Sequence, residues 1–175
     1  MGPRLEDVAI ALSSTTPRGG RLFSTEARFA EFLQQKAVAR GSTFHLITPQ
    51  DWPSREEMED FPYVEIPENV GLALAVCAAA GVDRRTALQG MYKSVPDIGV
   101  TTRTTFHRGE KKVTFYNVFA ANDRESLVML WKMVGLDQPG DRKLGVLINN
   151  RGDRMRRAQD MAEICARDMR ADWYL

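Results

Sequence analysis

The chain has 175 residues, 43% hydrophobic and 27% charged, the balance of one ordinary domain or two small ones, and it excludes a disordered protein. Lys+Arg 24 against Asp+Glu 23 leaves a formal charge of +1, so no global field favours nucleic acid or an anionic membrane. Two histidines, His45 and His107, and two separated cysteines, Cys77 and Cys165, without a CxxC, argue against a structural zinc site. They suit buried free thiols in a cytoplasmic protein.

Taken in chain order, "PRLEDVAIALSS" predicts a helix with Leu5, Val8, Ala9 and Leu12 on one face. "GGRLFST" predicts a short strand, and Ser24 or Thr25 is placed to cap a helix over "EARFAEFLQQKAVAR", stopped by Gly41. "STFHLITP" follows as a strand, and "SREEMEDF" carries a Ser54–Glu57 capping box. Helix, strand, helix and strand at this spacing predict parallel pairing in an α/β layer. "IPENVGLALAVCAAAGV" is a small-residue helix starting near Pro67, too short to span a bilayer, and Asp83 caps the next, "RRTALQGMYKS". The proline and glycine of "VPDIGV" mark a linker, which divides the chain into 1–98 and 99–175.

Beyond the linker, "TTRTTFH" and "KKVTFYNVF" flank "RGE" as a hairpin. "DRESLVMLWKMVGL" predicts a helix, "RKLGVLINN" a buried strand, "RMRRAQDMAEICARDM" a helix and "DWYL" the start of a strand. Asn122 with Glu125 three residues on has the spacing of a capping box. In "NNRGDRMRRAQ", Asp153 is placed to cap a helix start crowded by Arg151, Arg154, Arg156 and Arg157. Cations there oppose the helix dipole, by about 0.3–1 kcal/mol each when exposed. The cluster reads either as a phosphate or carboxylate site or as a solvated basic face with Asp153 as counter-ion. Asn69, in the first turn after Pro67, reads by spacing as an exposed helix-start amide. "GEKK" lacks the frame of a phosphate-binding loop, and no catalytic triad or dyad is visible, so the catalytic residues are unknown.

Read in order, "MGPRLEDVAIALSSTTPRGGRLFSTE", "PYVEIPENVGLALAVCAAAGVDRRTALQGM", "FYNVFAANDRES" and "NNRGDRMRR" resemble the middle and later part of the poly-γ-glutamate synthase amide ligases of capsule synthesis, within the Mur ligase superfamily. The resemblance runs through almost the whole chain. It implies the latter part of a central ATPase-like α/β domain followed by the start of a Rossmann-like C-terminal domain, with an ATP cleft between the two. It also implies the family's reaction: ATP and Mg²⁺ activate a γ-carboxylate of glutamate or of the growing polymer as an acyl phosphate, which an amine attacks. Carried over by position, Asn69, Asn117, Asn122 and Arg103 are the implied ATP contacts, and Arg151, Asp153, Arg154 and Arg157 the implied phosphate or carboxylate contacts.

The sequence departs from the family pattern at several points. Ile98 stands for the second proline of the linker, Arg103 arrives one position late, Asn150 replaces a cysteine and Arg156 an aspartate. No phosphate-binding loop occurs in the chain, and the magnesium ligands that go with it are not here, so no metal ligand is assigned. The expectation is a portion of a longer ligase, inactive alone, working in the cytoplasm at the inner membrane face with membrane-embedded synthase subunits. The alternative is a stand-alone, non-catalytic module that binds nucleotide, a polyanion or a partner. An unpaired sheet edge also allows a homo-oligomer.

Overall fold

Side-chain caps and cross-strand pairs set the local structure of this protein, and the computed structural model describes residues 4–121, 123–138 and 140–175. The chain divides into two units, Met1–Asp97 and Ile98–Leu175. It is a mixed α/β protein whose sheets each have two strands among the described residues.

In the first unit, α1 (Leu5–Ser13) precedes β1 (Arg21–Ser24), α2 (Ala30–Val38) and β2 (Thr43–Leu46). The two strands pair in parallel, Arg21 opposite Thr43 through Ser24 opposite Leu46, with α2 as the crossover. Phe23 stacks on His45 across the pair, ring centroids 4.8 Å apart. The α2 helix begins at Ala30, later than the sequence suggested. The Ser24 hydroxyl accepts from the Glu26 N–H and the Glu26 carboxylate from the Arg28 N–H, so these side chains hold a turn where a helix was expected to start. The stripe on α1 is not buried either: Leu5 is 50% and Leu12 57% exposed.

Three further helices follow, α3 (Arg55–Glu59), α4 (Pro67–Ala79) and α5 (Arg84–Tyr92). Ser54 caps α3 in a reciprocal box with Glu57, Asp83 caps α5 through the Thr86 N–H, and Pro67 opens α4. Phe61, Val70, Leu74, Ala87 and Leu88 form the core that joins them. Burial of the Phe61, Val70, Leu74 and Leu88 side chains contributes about 1.5–3 kcal/mol each, and of Ala87 less. Gly71 admits Trp52 to the flank of α4, because a Cβ there would lie 2.8 Å from the indole Cδ1.

The second unit opens with an antiparallel hairpin, β3 (Thr102–Arg108) and β4 (Lys111–Asn117), turning through Gly109 at φ +59°. Then come α6 (Arg124–Met133), β5 (Gly145–Val146), α7 (Met155–Arg167) and β6 (Trp173–Tyr174). Strands β5 and β6 pair in parallel. The "RKLGVLINN" segment is therefore strand over two residues only, and it is not a buried one, with Leu147 64% exposed. Leu127, Trp131, Ile164 and Met169 make the core between α6 and α7. Arg124 bridges the same two helices, its Nη2 donating to Asp168 Oδ1 at 2.9 Å. Cys165 is buried, Cys77 is half-buried, and both are free thiols. Burial pushes the Cys165 thiol pKa up, which keeps it protonated and unreactive. No helix among the described residues is long and apolar enough to cross a membrane.

Candidate anion site at the start of the last long helix

A helix start exposes backbone N–H groups and the positive end of the dipole, so an arginine placed there sits against the field. The segment 151–157 places four of them at the start of α7. Arg154 is the N-cap residue, with no side-chain cap bond, and Arg156 and Arg157 stand in the first turn, which holds no acidic residue. All are exposed.

Asp153 does not cap this helix. It is taken by Arg151, whose Nε donates to Oδ1 at 3.0 Å and whose Nη2 donates to Oδ2 at 2.7 Å. The two-point fork is the strong geometry for a guanidinium–carboxylate pair, and it occupies both oxygens of the carboxylate. One arginine is thereby neutralised. Arg154, Arg156 and Arg157 make no ion pair among the described residues. Three uncompensated guanidinium groups at the positive end of a 13-residue helix make an attractive seat for a carboxylate or phosphate oxygen.

The other residues singled out in the sequence are placed elsewhere. Asn69 is exposed in the first turn of α4 in the first unit. Asn117 ends β4, where its Oδ1 accepts from the Phe119 N–H at 3.1 Å and its Nδ2 donates to the Ile98 carbonyl at 3.4 Å. That amide shapes the turn after the strand. Arg103 pairs with Tyr116 and Thr102 with Asn117, so the alternation of the ladder sends Arg103 to the opposite face of the hairpin from Asn117. The structure does not bring these two together. Asn122 lies outside the described residues. The residue that caps α6 is Asp123, accepting from the Ser126 N–H at 2.9 Å and from its hydroxyl at 2.7 Å. These bonds hold the Asp123 carboxyl below the usual range.

Trp52 was missed by sequence reasoning. Its indole Nε1 is buried without a hydrogen-bond partner among the described residues, beside the first turns of α4. An orphaned donor of this kind costs about 1–3 kcal/mol, and no local pattern in "QDWPS" signals it. No group of three or more His, Cys, Asp or Glu among the described residues is arranged to hold a metal ion.

Comparison with known proteins gives this geometry a context. The chain is 36% identical over 163 residues to PGA synthase CapB of Bacillus subtilis (strain 168), covering 93% of this chain and 41% of that protein. It is 36% identical over 164 residues to Capsule biosynthesis protein CapB of Bacillus anthracis, covering 93% of this chain and 35% of that protein. The chain thus spans about two fifths or less of the length of these curated relatives. No solved structure matches it. Residues 103–175, which carry β4, α6 and the arginine-rich start of α7, match the family model described as the poly-gamma-glutamate synthase CapB C-terminal domain.

Proposed function

We propose that this chain serves poly-γ-glutamate synthesis as a portion of an ATP-dependent amide ligase acting through a γ-glutamyl phosphate. Similarity to CapB over 93% of the chain supports the role, and the uncompensated arginines at the start of α7 carry the chemistry. In this reading the first unit is part of a Mur-ligase-like central domain and the second the start of a Rossmann-like ligase domain. The proposed cytoplasmic setting and membrane-embedded partner subunits follow from the same resemblance.

ATP with Mg²⁺, when bound, supplies the phosphoryl group that turns a γ-carboxylate into an acylating agent. Arg154 and Arg157 hold a carboxylate or phosphate oxygen, offering fixed positive charge where negative charge accumulates. Arg151 and Asp153 brace each other beside it. Asn69, Asn117, Asn122 and Arg103 are the proposed nucleotide contacts. Asn117 would offer only the hydrogen-bonding capacity left over from the turn that it holds.

The chain contains no Gly-x-x-x-x-Gly-Lys-Ser/Thr loop, so the 175-residue polypeptide alone is expected not to hydrolyse ATP. Glutamate-dependent phosphate release by the purified chain would refute that. The role itself is tested in the source cells. Deleting the coding region for these residues should abolish γ-linked glutamate polymer, and polymer at the parental level would overturn the reading.

A further inference from the structure

A second basic feature lies in the first unit, far in sequence from α7. The end of α1, the loop after it and the end of α2 enclose an open cleft of about 610 Å³, lined among others by Ile10, Ser13, Ser14, Arg18, Lys36 and Arg40. None of the described residues lining it is acidic. Arg18, Lys36 and Arg40 make no ion pair among the described residues. Three cations share one concavity without a counter-ion.

The frame around them is tied together. Arg40 Nη1 donates to the Thr16 carbonyl at 2.5 Å, which fixes its guanidinium and leaves most of its five donors free. The Gly19 N–H donates to the Arg40 carbonyl at 3.0 Å and the Gly20 N–H to Ser42 Oγ at 3.0 Å. Ser42 Oγ in turn donates to the Pro17 carbonyl at 2.7 Å. Lys36 places its ammonium nitrogen over the Phe32 ring, 5.2 Å from the centroid, a cation–π contact that positions the charge while the residue stays exposed.

These bonds also select the ligand. A phosphate is normally cradled by free backbone N–H groups in a glycine loop, but here the N–H groups of Gly19 and Gly20 are already spent. The hydroxyls of Ser13 and Ser14 donate to the carbonyls of Ile10 and Ala11 and are no better placed to donate to an anion. What remains is three side-chain cations, Arg18 from the loop after α1 and Lys36 with Arg40 one turn apart at the end of α2, in a space several times larger than one phosphate. That pattern fits an extended chain bearing one carboxylate per residue.

We infer that the Arg18–Lys36–Arg40 cleft is a holding site for poly-γ-glutamate, separate from the anion site at α7. The inference rests on the proposed role in poly-γ-glutamate synthesis. It adds a surface that keeps the polymer on the protein between additions by charge alone, so binding weakens steeply with salt.

The test is a titration of a fluorescent poly-γ-glutamate ten-mer with the 175-residue chain at low ionic strength, followed by anisotropy. Arg18→Glu with Lys36→Glu should weaken binding at least tenfold. Arg18→Gln with Lys36→Gln should weaken it less, and Lys111→Glu with Lys112→Glu on β4, the same charge change at exposed residues given no binding role, should change it under twofold. Circular dichroism checks the fold of each variant; Arg40 is left alone because it holds the Thr16 loop. Equal binding by the Glu and parent proteins would overturn the site, as would no binding by the parent. Displacement by tripolyphosphate at matched ionic strength and charge, as effective as by unlabelled polymer, would make it a phosphate site and also overturn the proposal. The deletion phenotype in the source cells is read independently, so a failed cleft and a failed function are told apart.

Discussion

Arg151 holds Asp153 by both carboxylate oxygens, at 3.0 and 2.7 Å, two residues apart at the mouth of α7. The pair removes one positive charge from the helix start and denies the helix its expected cap.

Asp153→Ala should therefore have two effects of opposite sign. Freeing Arg151 adds a fourth uncompensated cation, so inorganic pyrophosphate should bind about two- to fivefold more tightly, the equivalent of roughly 0.3–1 kcal/mol. Loss of the acid beside the helix start should lower the stability of the unit by a similar small amount. Calorimetric titration and urea unfolding of the same preparation measure both. Weaker binding would show that Asp153 itself touches the ligand.

In the first unit, Arg84 grips Glu57 in the same two-point manner, Nε at 2.9 Å and Nη2 at 2.7 Å. The Arg84 guanidinium draws the Glu57 carboxyl down from the usual 4.5 to about 2. A depressed folded-state value means that the unfolded chain takes up the proton first. The stabilisation is thus complete above pH 4.5 and fades as pH falls toward about 2. Side-chain exposure of 47% for Arg84 and 27% for Glu57 screens the pair, so its contribution at neutral pH is about 1 kcal/mol. Glu57→Gln should cost that much at pH 7 and progressively less below pH 4.5. Urea unfolding across pH 7 to 3 reads the difference, and a gap that stays constant over that range would rule out the ion pair as its source.

Trp52→Phe should keep stability within about 1 kcal/mol of the parent, because it removes an orphaned donor while retaining an aromatic ring against Gly71. Trp52→Ala should cost on the order of 2 kcal/mol through lost packing. Chemical denaturation of the two variants separates packing from polarity. If the Phe variant falls as far as the Ala variant, the indole N–H is making a bond that matters.

What the sequence revealed was mostly what is local. Ser54 and Asp83 were legible as caps because a cap needs only a short oxygen-bearing side chain and an N–H three residues on. The cap of α6 was displaced by one residue, since Asn122 and Asp123 both suit the role and Ser126 decides it by offering two donors to Asp123. The delayed start of α2 turned on a competition between the Ser24 hydroxyl and the helix for the same backbone, which periodicity does not register. The parallel pairing of β1 with β2 followed from the crossover spacing. The arginines of α7 were visible as a cluster, but the Arg151–Asp153 fork depends on rotamers. The fit of Trp52 against Gly71 spans a gap of 19 positions, and the Arg18–Lys36–Arg40 cleft exists only once the chain has folded back.

The hairpin of β3 and β4 enters and leaves the second unit at one point. The Ala120 N–H donates to the Gly99 carbonyl at 2.8 Å, and a Cβ on Gly99 would lie 3.3 Å from the Ala120 nitrogen, so the two stems meet at a close clasp where a side chain would require a shift of a few tenths of an ångström. Seven residue pairs away, Gly109 turns in the open, with nothing within 4 Å of where a side chain would stand. Length added at the tip leaves the clasp unchanged, and each doubling of a flexible loop costs only about 0.6 kcal/mol in closure entropy. The ribbon is thus a handle: a dye, an affinity epitope or a whole inserted domain can be grafted between Gly109 and Glu110 while the helices behind the clasp keep their packing.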